Sequence, residues 1–140
     1  TYHFPLNMNT FTPCTIGLGS NTIDREYQIS QATEFICGIL HDCSVSSVYE
    51  SPAFNGKDKP YFNEVISGRS PISAESLVRH LKDWEALHGR TQVKTLEGVI
   101  PIDLDLVIWD SRILRPKDFE RHYFNVGYRE LLAKGAYQEE

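Results

Sequence analysis

Hydrophobic and polar positions alternate along this chain in short stretches of period two, separated by two longer stretches with a period near 3.6. Residues 14–18, CTIGL, form a short apolar strand that ends in GSN. Over about 22–40, Ile29, Ala32, Ile36 and Leu40 recur at helical spacing. Asn21 stands where an N-cap would sit, with Asp24 in the first turn. Residues 44–51, SVSSVYES, favour a strand and run into Pro52, and 53–60, AFNGKDKP, carry turn residues. YFNEVISG, 61–68, alternates as a strand. Ser73 opens a second helix to about His88, with Leu77, Leu81, Trp84 and His88 on one stripe and Gly89 at its stop. A loop over 90–100 leads into PIDLDLVIWD, 101–110.

The order β-α-β-β-α-β predicts an α+β fold with a ferredoxin-like core, an antiparallel sheet with its helices on one face. We expect a single domain over 14–140 after a loose leader, 1–13. In the last strand Ile102, Leu104, Leu106 and Ile108 share the helix-covered face. Asp103 and Asp105 fall on the opposite, helix-free face with Val107 and Trp109. Two carboxylates about 7 Å apart on one strand repel each other unless a positive group lies between them. Magnesium suits that place, because it takes hard oxygen ligands and joins one or two carboxylates to substrate phosphates. The plainer alternative is a solvated edge-strand face with two surface acids.

Composition narrows the setting. The 140 residues are 41% hydrophobic and 24% charged, ordinary for a globular domain, and the net charge of −5 argues against broad contact with nucleic acid or anionic membranes. There is no run of about 18 apolar residues that would span a membrane. The first residues, TYHFPLNMNTFTP, have neither the basic start nor the apolar core of a signal peptide. Cys14, Cys37 and Cys43 lack metal-ligand spacing. Cys14 and Cys37 lie in apolar contexts and read as buried thiols, so the expected compartment is the cytoplasm.

Other candidates are weaker one by one. GLGSN, 17–21, offers backbone amides to an anion at a strand–helix junction, or is simply a tight turn. Tyr61 and Asn63 share a strand face, and an Asn amide suits a flat heterocycle with donor and acceptor edges. Glu85 lies near a helix end and Arg90 just past it, where a guanidinium can grip phosphate or merely favour the helix terminus. His80, His88 and His122 make no zinc pattern. No serine–histidine–acid arrangement is supported by spacing. Two carboxylates without an evident nucleophile suit phosphoryl chemistry, where positioning and electrostatics do most of the work.

Together, GLGSN at 17–21, SSVYESPA at 46–53, YFNEV at 61–65, EALHGR at 85–90 and IDLDLVIW at 102–109 resemble the 6-hydroxymethyl-7,8-dihydropterin pyrophosphokinase family. The resemblance implies transfer of pyrophosphate from ATP to the pterin hydroxymethyl group, with two Mg2+ ions. It implies Asp103 and Asp105 as metal ligands and Asn63 and Tyr61 in the pterin pocket, bordered by Ser51, Pro52 and Phe54. It further implies Glu85, Arg90 and Leu106 on the nucleotide side, and Arg90 and Arg129 as phosphate-holding catalytic arginines. Partners would be pterin and ATP, with no nucleic acid or membrane, and the chain a monomer.

The chain also departs from the family pattern W-G-P-R-T-x-D-x-D, reading EGVIPIDLD, with Glu97 at the lid tryptophan and Ile100 at a phosphate arginine. Tyr123 stands at an expected histidine, and Leu131 at an aromatic that would stack on the pterin. Lys94, Arg112, Arg115 and Arg121 are the basic residues that would compensate. Two alternatives follow: a relative that binds pterin or nucleotide without turnover, and a ferredoxin-like interaction module.

Overall fold

The structure, a computed structural model, describes residues 11–53 and 55–136. The elements run β1 (Thr12–Ser20), α1 (Arg25–Ile39), β2 (His41–Val45), β3 (Tyr49–Ser51), β4 (Tyr61–Ser70), α2 (Ala74–Leu87), α3 (Gln92–Leu96), β5 (Asp103–Trp109), β6 (Arg112–Ile113), α4 (Pro116–Phe119) and α5 (His122–Ala133). The sheet order is β2-β4-β1-β5-β6, with β3 also on β4, and the pairings are antiparallel. This is the ferredoxin-like α+β core, its second strand divided into β2 and β3. The first strand begins at Thr12 rather than residue 14, and residues 1–10 of the expected leader lie outside the described residues.

The helical stripes do what their spacing implies. Ile29, Ala32 and Ile36 of α1 and Leu77 and Leu81 of α2 are buried against Cys14, Ile16 and Leu18 of β1, Ile66 of β4, and Leu104 and Leu106 of β5. Ser73 caps α2, its side chain accepting from the Ser76 amide, and Gly89 leaves the helix at φ +96°, a conformation that costs glycine little. At α1 the expectation is corrected. Asp24, not Asn21, occupies the N-cap, because β1 continues to Ser20 and Asn21 is engaged elsewhere.

Three further differences have physical causes. The second sheet face is not helix-free: α5 lies on it through Phe124 and Leu131, packed with Val65 and Val107. Gly127 permits that approach, since a Cβ there would fall 2.7 Å from Val65 Cγ2 and 2.9 Å from Ser46 Oγ. A register shift sets Ile16 opposite Leu106 but Thr15 opposite Ile108. The extra residue, Val107, is a β-bulge that reverses the alternation beyond it. Ile108 therefore joins the α5 side and Trp109 the α1/α2 side, the opposite of strict alternation. Finally, Cys37 in the last turn of α1 and Cys43 in β2 form a disulfide, Cα–Cα 5.7 Å. The one-residue connection at Leu40 folds β2 back beside the helix end. Cys14 is the buried free thiol, pushed up to about 12 by burial. The cysteines thus no longer argue for a reducing compartment. No helix among the described residues is long and apolar enough to cross a membrane.

Glu64 of β4 faces α1, is 6% exposed, and accepts a hydrogen bond from the Thr33 hydroxyl. Burial raises its pKa from 4.5 to about 7, against the opposing pull of the Thr33 bond. The folded value lies above the unfolded one, so stability is greatest below about pH 4.5 for this group and is lost as pH climbs through 7. Glu64→Gln is expected to raise the Tm at pH 8, by roughly 2–3 kcal/mol of stability, and to change it little at pH 5. Parallel Tm-against-pH curves for the two proteins would overturn this account.

Candidate active site

The register of three strands builds the site. Asn63 of β4, Gly19 of β1 and Asp103 of β5 lie in one row across the sheet, and Val65, Gly17 and Asp105 in the next. With strands about 4.8 Å apart, the amide and the first carboxylate stand roughly 10 Å from each other, with a residue lacking a side chain between them. A cleft opens over this floor, lined by Gly17, Gly19, Ser51, Pro52, Tyr61, Asn63, Asp103, Asp105, Val107, Asp118, Tyr123 and Phe124 among others. A Cβ on Gly19 would lie 3.4 Å from both Asn63 Oδ1 and the Tyr61 ring, and one on Gly17 would lie 3.1 Å from Phe124. The glycines of GLGSN therefore serve as the cleft floor, inside a central strand, rather than as an anion-holding turn.

At one end, Asn63 is 2% exposed and its Nδ2 donates to Ser51 Oγ (2.8 Å) and to the Tyr49 carbonyl (3.2 Å). Its donors are thereby engaged, and Oδ1, turned toward Gly19, is what it offers a ligand. Tyr61 stands beside it, its hydroxyl pKa raised by burial and by Asp103. Ser51 and Pro52 line this end. Phe54 lies outside the described residues.

The other end is electrostatic. Asp103 is 38% exposed in its side chain and Asp105 13%. Burial first, then the neighbouring Asp103, push Asp105 up to about 7. Asp103 is depressed below the usual carboxylate range despite burial, because Asp105, Lys82 and Arg90 outweigh it. The two carboxylates titrate as a pair, Asp105 being the one driven upward by burial and like charge. Three cations surround the acids. Arg90 donates to Asp103 (3.1 Å) and to the Ile102 carbonyl (3.1 Å). Lys82 Nζ lies 3.3 Å from Asp105 and 2.9 Å from Glu85, and donates to the Leu104 carbonyl at 2.8 Å. Arg115 is 3.8 Å from Asp105 and also bonds Asp118.

Glu85 is 6% exposed and accepts from the Leu104 amide at 2.7 Å. Beyond β1, this part of β5 has no neighbouring strand, and Glu85, Lys82 and Arg90 satisfy its outward backbone groups in place of one. Leu106 has its side chain in the core, 4% exposed. It does not line the cleft.

Some expected residues are not brought in. Arg129 is exposed on α5, two positions from both Gly127 and Leu131 on the face that packs against the sheet, so it points away from the cleft and does not line it. Leu131 is wholly buried, and Tyr123 and Phe124 are the α5 residues that wall the cleft. Ile100 is buried, and Lys94 lies over Gly89, where a Cβ would meet its Nζ at 3.2 Å. Lys82, Asp118 and Phe124 were missed. The one signal available was helical spacing of Phe124, Tyr128 and Leu131. Asp118 accepts from the Tyr123 hydroxyl and from Arg115, fixing both beside the acids.

Among the described residues no group of three or more His, Cys, Asp or Glu is arranged to hold a metal. The donor set that fits a divalent ion is the Asp103–Asp105 pair, whose remaining ligands would be phosphate oxygens and water.

The model of the 7,8-dihydro-6-hydroxymethylpterin-pyrophosphokinase family matches residues 15–133. The chain belongs to that family. It is 30% identical over 103 residues to the 2-amino-4-hydroxy-6-hydroxymethyldihydropteridine pyrophosphokinase of Aquifex aeolicus (strain VF5), a stretch covering 73% of this chain and 64% of that relative. The chain therefore spans less than two thirds of the relative's length. Pterin pyrophosphokinase membership fits a cleft with an amide at one end and paired carboxylates at the other.

The titration of the pair is directly measurable. Carboxyl-carbon NMR is expected to show Asp105 titrating near pH 7 and, in Asp103→Asn, at least one unit lower, because the like charge is gone. An unchanged midpoint would mean that burial alone sets it.

Proposed function

We propose that this chain transfers pyrophosphate from ATP to 6-hydroxymethyl-7,8-dihydropterin, with magnesium, as part of folate biosynthesis. The observation that carries the reading is the row Asn63–Gly19–Asp103, which sets a buried amide at one end of one cleft and paired carboxylates at the other. In this reading the flat pterin lies over the glycine floor between Tyr61 and Phe124, and Asn63 Oδ1 accepts one of its ring N–H groups. Asp103 and Asp105 would hold two divalent ions, which when bound neutralise phosphate charge and bring hard Lewis acidity to the transferring group. The pterin hydroxymethyl oxygen attacks the β-phosphorus. The bond from that phosphorus to the α,β-bridging oxygen breaks, AMP leaves, and the hydroxyl proton passes to solvent or a phosphate oxygen.

The loss of arginine at Ile100 is offset in this reading by Lys82 and Arg115, which already flank the acids and exchange carboxylate for phosphate when nucleotide arrives. Glu85 and Arg90 hold the edge of β5 where the Leu106 backbone meets the nucleotide base. A cytoplasmic location and a monomeric state belong to this proposal.

The test is AMP release from ATP by the purified chain with magnesium and 6-hydroxymethyl-7,8-dihydropterin. Pterin-dependent AMP is expected, reduced about a thousandfold or more in Asp103→Ala and Asp105→Ala. Lys82→Met is expected to lower kcat/KM by roughly 10–100-fold. With Asp105 carrying a proton below about pH 7, half-saturating magnesium should rise as pH falls from 8 to 6. The burial of Ile100 and the outward face of Arg129 favour one second reading, a relative that binds without turnover. Calorimetric binding of pterin or nucleotide with no AMP would establish it.

A further inference from the structure

Tyr49 opens β3 and pairs directly with Asn63 of β4. It reaches two walls of the cleft at once. Its backbone carbonyl accepts from Asn63 Nδ2 at 3.2 Å, and a carbonyl can only accept. The amide is thereby held with its NH2 toward β3, where Ser51 Oγ takes the second donor (2.8 Å), and with its Oδ1 toward Gly19. The Tyr49 hydroxyl reaches α5 instead. It donates to the carbonyls of Tyr123 (2.6 Å) and Phe124 (3.2 Å), the two α5 residues that line the cleft.

The contact is closely fitted. A Cβ on Gly127, one turn after Tyr123, would fall 3.0 Å from Tyr49 Cε1, so the ring lies against the helix backbone where no side chain intervenes. Burial pushes the hydroxyl up to about 12, against the opposing pull of the Gly127 backbone, and it stays a donor throughout the neutral range. Tyrosine has only two side-chain torsions. Here its backbone is fixed by the β3–β4 ladder and its tip by the helix. It is therefore a rigid spacer between the strand that carries the amide and the turn that carries the aromatic wall. Neither carbonyl needs the tyrosine for its own satisfaction, since within the helix each faces the amide four residues on, that of Gly127 or Tyr128. The bond from Tyr49 places the turn rather than completing it. The far end of α5 has a separate tie: Glu130 accepts from the Ser47 amide (3.0 and 3.1 Å) and hydroxyl (3.1 Å) and pairs with Lys134 (2.8 Å).

We propose that Tyr49 is a positioning residue for the amide end of the cleft. Its hydroxyl sets where Tyr123 and Phe124 stand relative to Asn63, and so sets the fit of the flat ring that the cleft receives. Naming that ring a pterin rests on the pterin pyrophosphokinase reading, but the fixing of the α5 turn does not. Tyr49 itself does not line the cleft, so it touches no substrate.

Tyr49→Phe removes the hydroxyl and keeps the ring. Amide exchange on the free variant is expected to run about tenfold faster at Gly127 and Tyr128 and to be unchanged at Ile16 and Leu104. In AMP release, KM for 6-hydroxymethyl-7,8-dihydropterin is expected to rise about tenfold, with kcat and KM for ATP each within about threefold of the natural protein. Ser47→Ala, which loosens the far end of α5, is the control: whatever its effect on Tm, its pterin KM should stay within about threefold. A pterin KM that does not rise in Tyr49→Phe overturns the inference. So does an equal rise in Ser47→Ala, or an equal rise in KM for ATP, because either would mark a general loosening. If the natural protein releases no AMP, calorimetry of 6-hydroxymethylpterin in saturating magnesium and a non-hydrolysable ATP analogue replaces KM, with the same outcomes. If it binds no pterin either, the pterin reading falls and exchange alone decides, unchanged rates at Gly127 and Tyr128 overturning the role of Tyr49.

Discussion

Everything in the cleft depends on the pairing of β1 with β4 on one side and β5 on the other. That register brings two side-chainless residues of the central strand between a buried amide and a pair of carboxylates. Any other residue at Gly19 would fill the floor, and a shift by one position would turn Asn63, Asp103 and Asp105 into the helix-covered core. The packing on that other face enforces the register: Ile16, Leu18, Ile66, Leu104 and Leu106 are buried there together. Hydrophobic burial on one face of the sheet thus sets the chemistry on the other.

The second constraint is electrostatic. A strand next to the sheet edge with two acids on its open face would be poorly tolerated alone, through repulsion and through unpaired backbone groups. Side chains from α2 and its exit answer both problems. Glu85 takes the Leu104 amide, Lys82 its carbonyl, and Arg90 the Ile102 carbonyl. The two cations also face Asp105 and Asp103. The same groups that complete the sheet edge therefore neutralise the acids, so the cost of keeping a binding site is spread into the fold itself.

Family membership fits the cleft, whose walls and charges come from several elements. Ile100 is buried, and its backbone is doubly bonded to Asn21. Positive charge reaches the acids from Lys82, Arg90 and Arg115. Tyr123 and Phe124 supply the aromatic wall, while Leu131 lies in the core beside Val65 and Val107.

Periodicity by itself determined the βαββαβ core, the buried stripes of α1 and α2, the Ser73 cap, the Gly89 stop and the shared face of Asp103 and Asp105. Those features are set by residues within a few positions of each other, where helical and extended geometry leave little choice. Only the tertiary structure decided the bulge at Val107, the Cys37–Cys43 bond, the place of α5 on the second face, the outward turn of Arg129 and the engagement of Asn21 with residues 59, 98 and 100. Each of these depends on contacts between segments far apart in the chain. Such contacts are chosen by packing and by the pairing of buried polar groups, and neither leaves a local pattern to read.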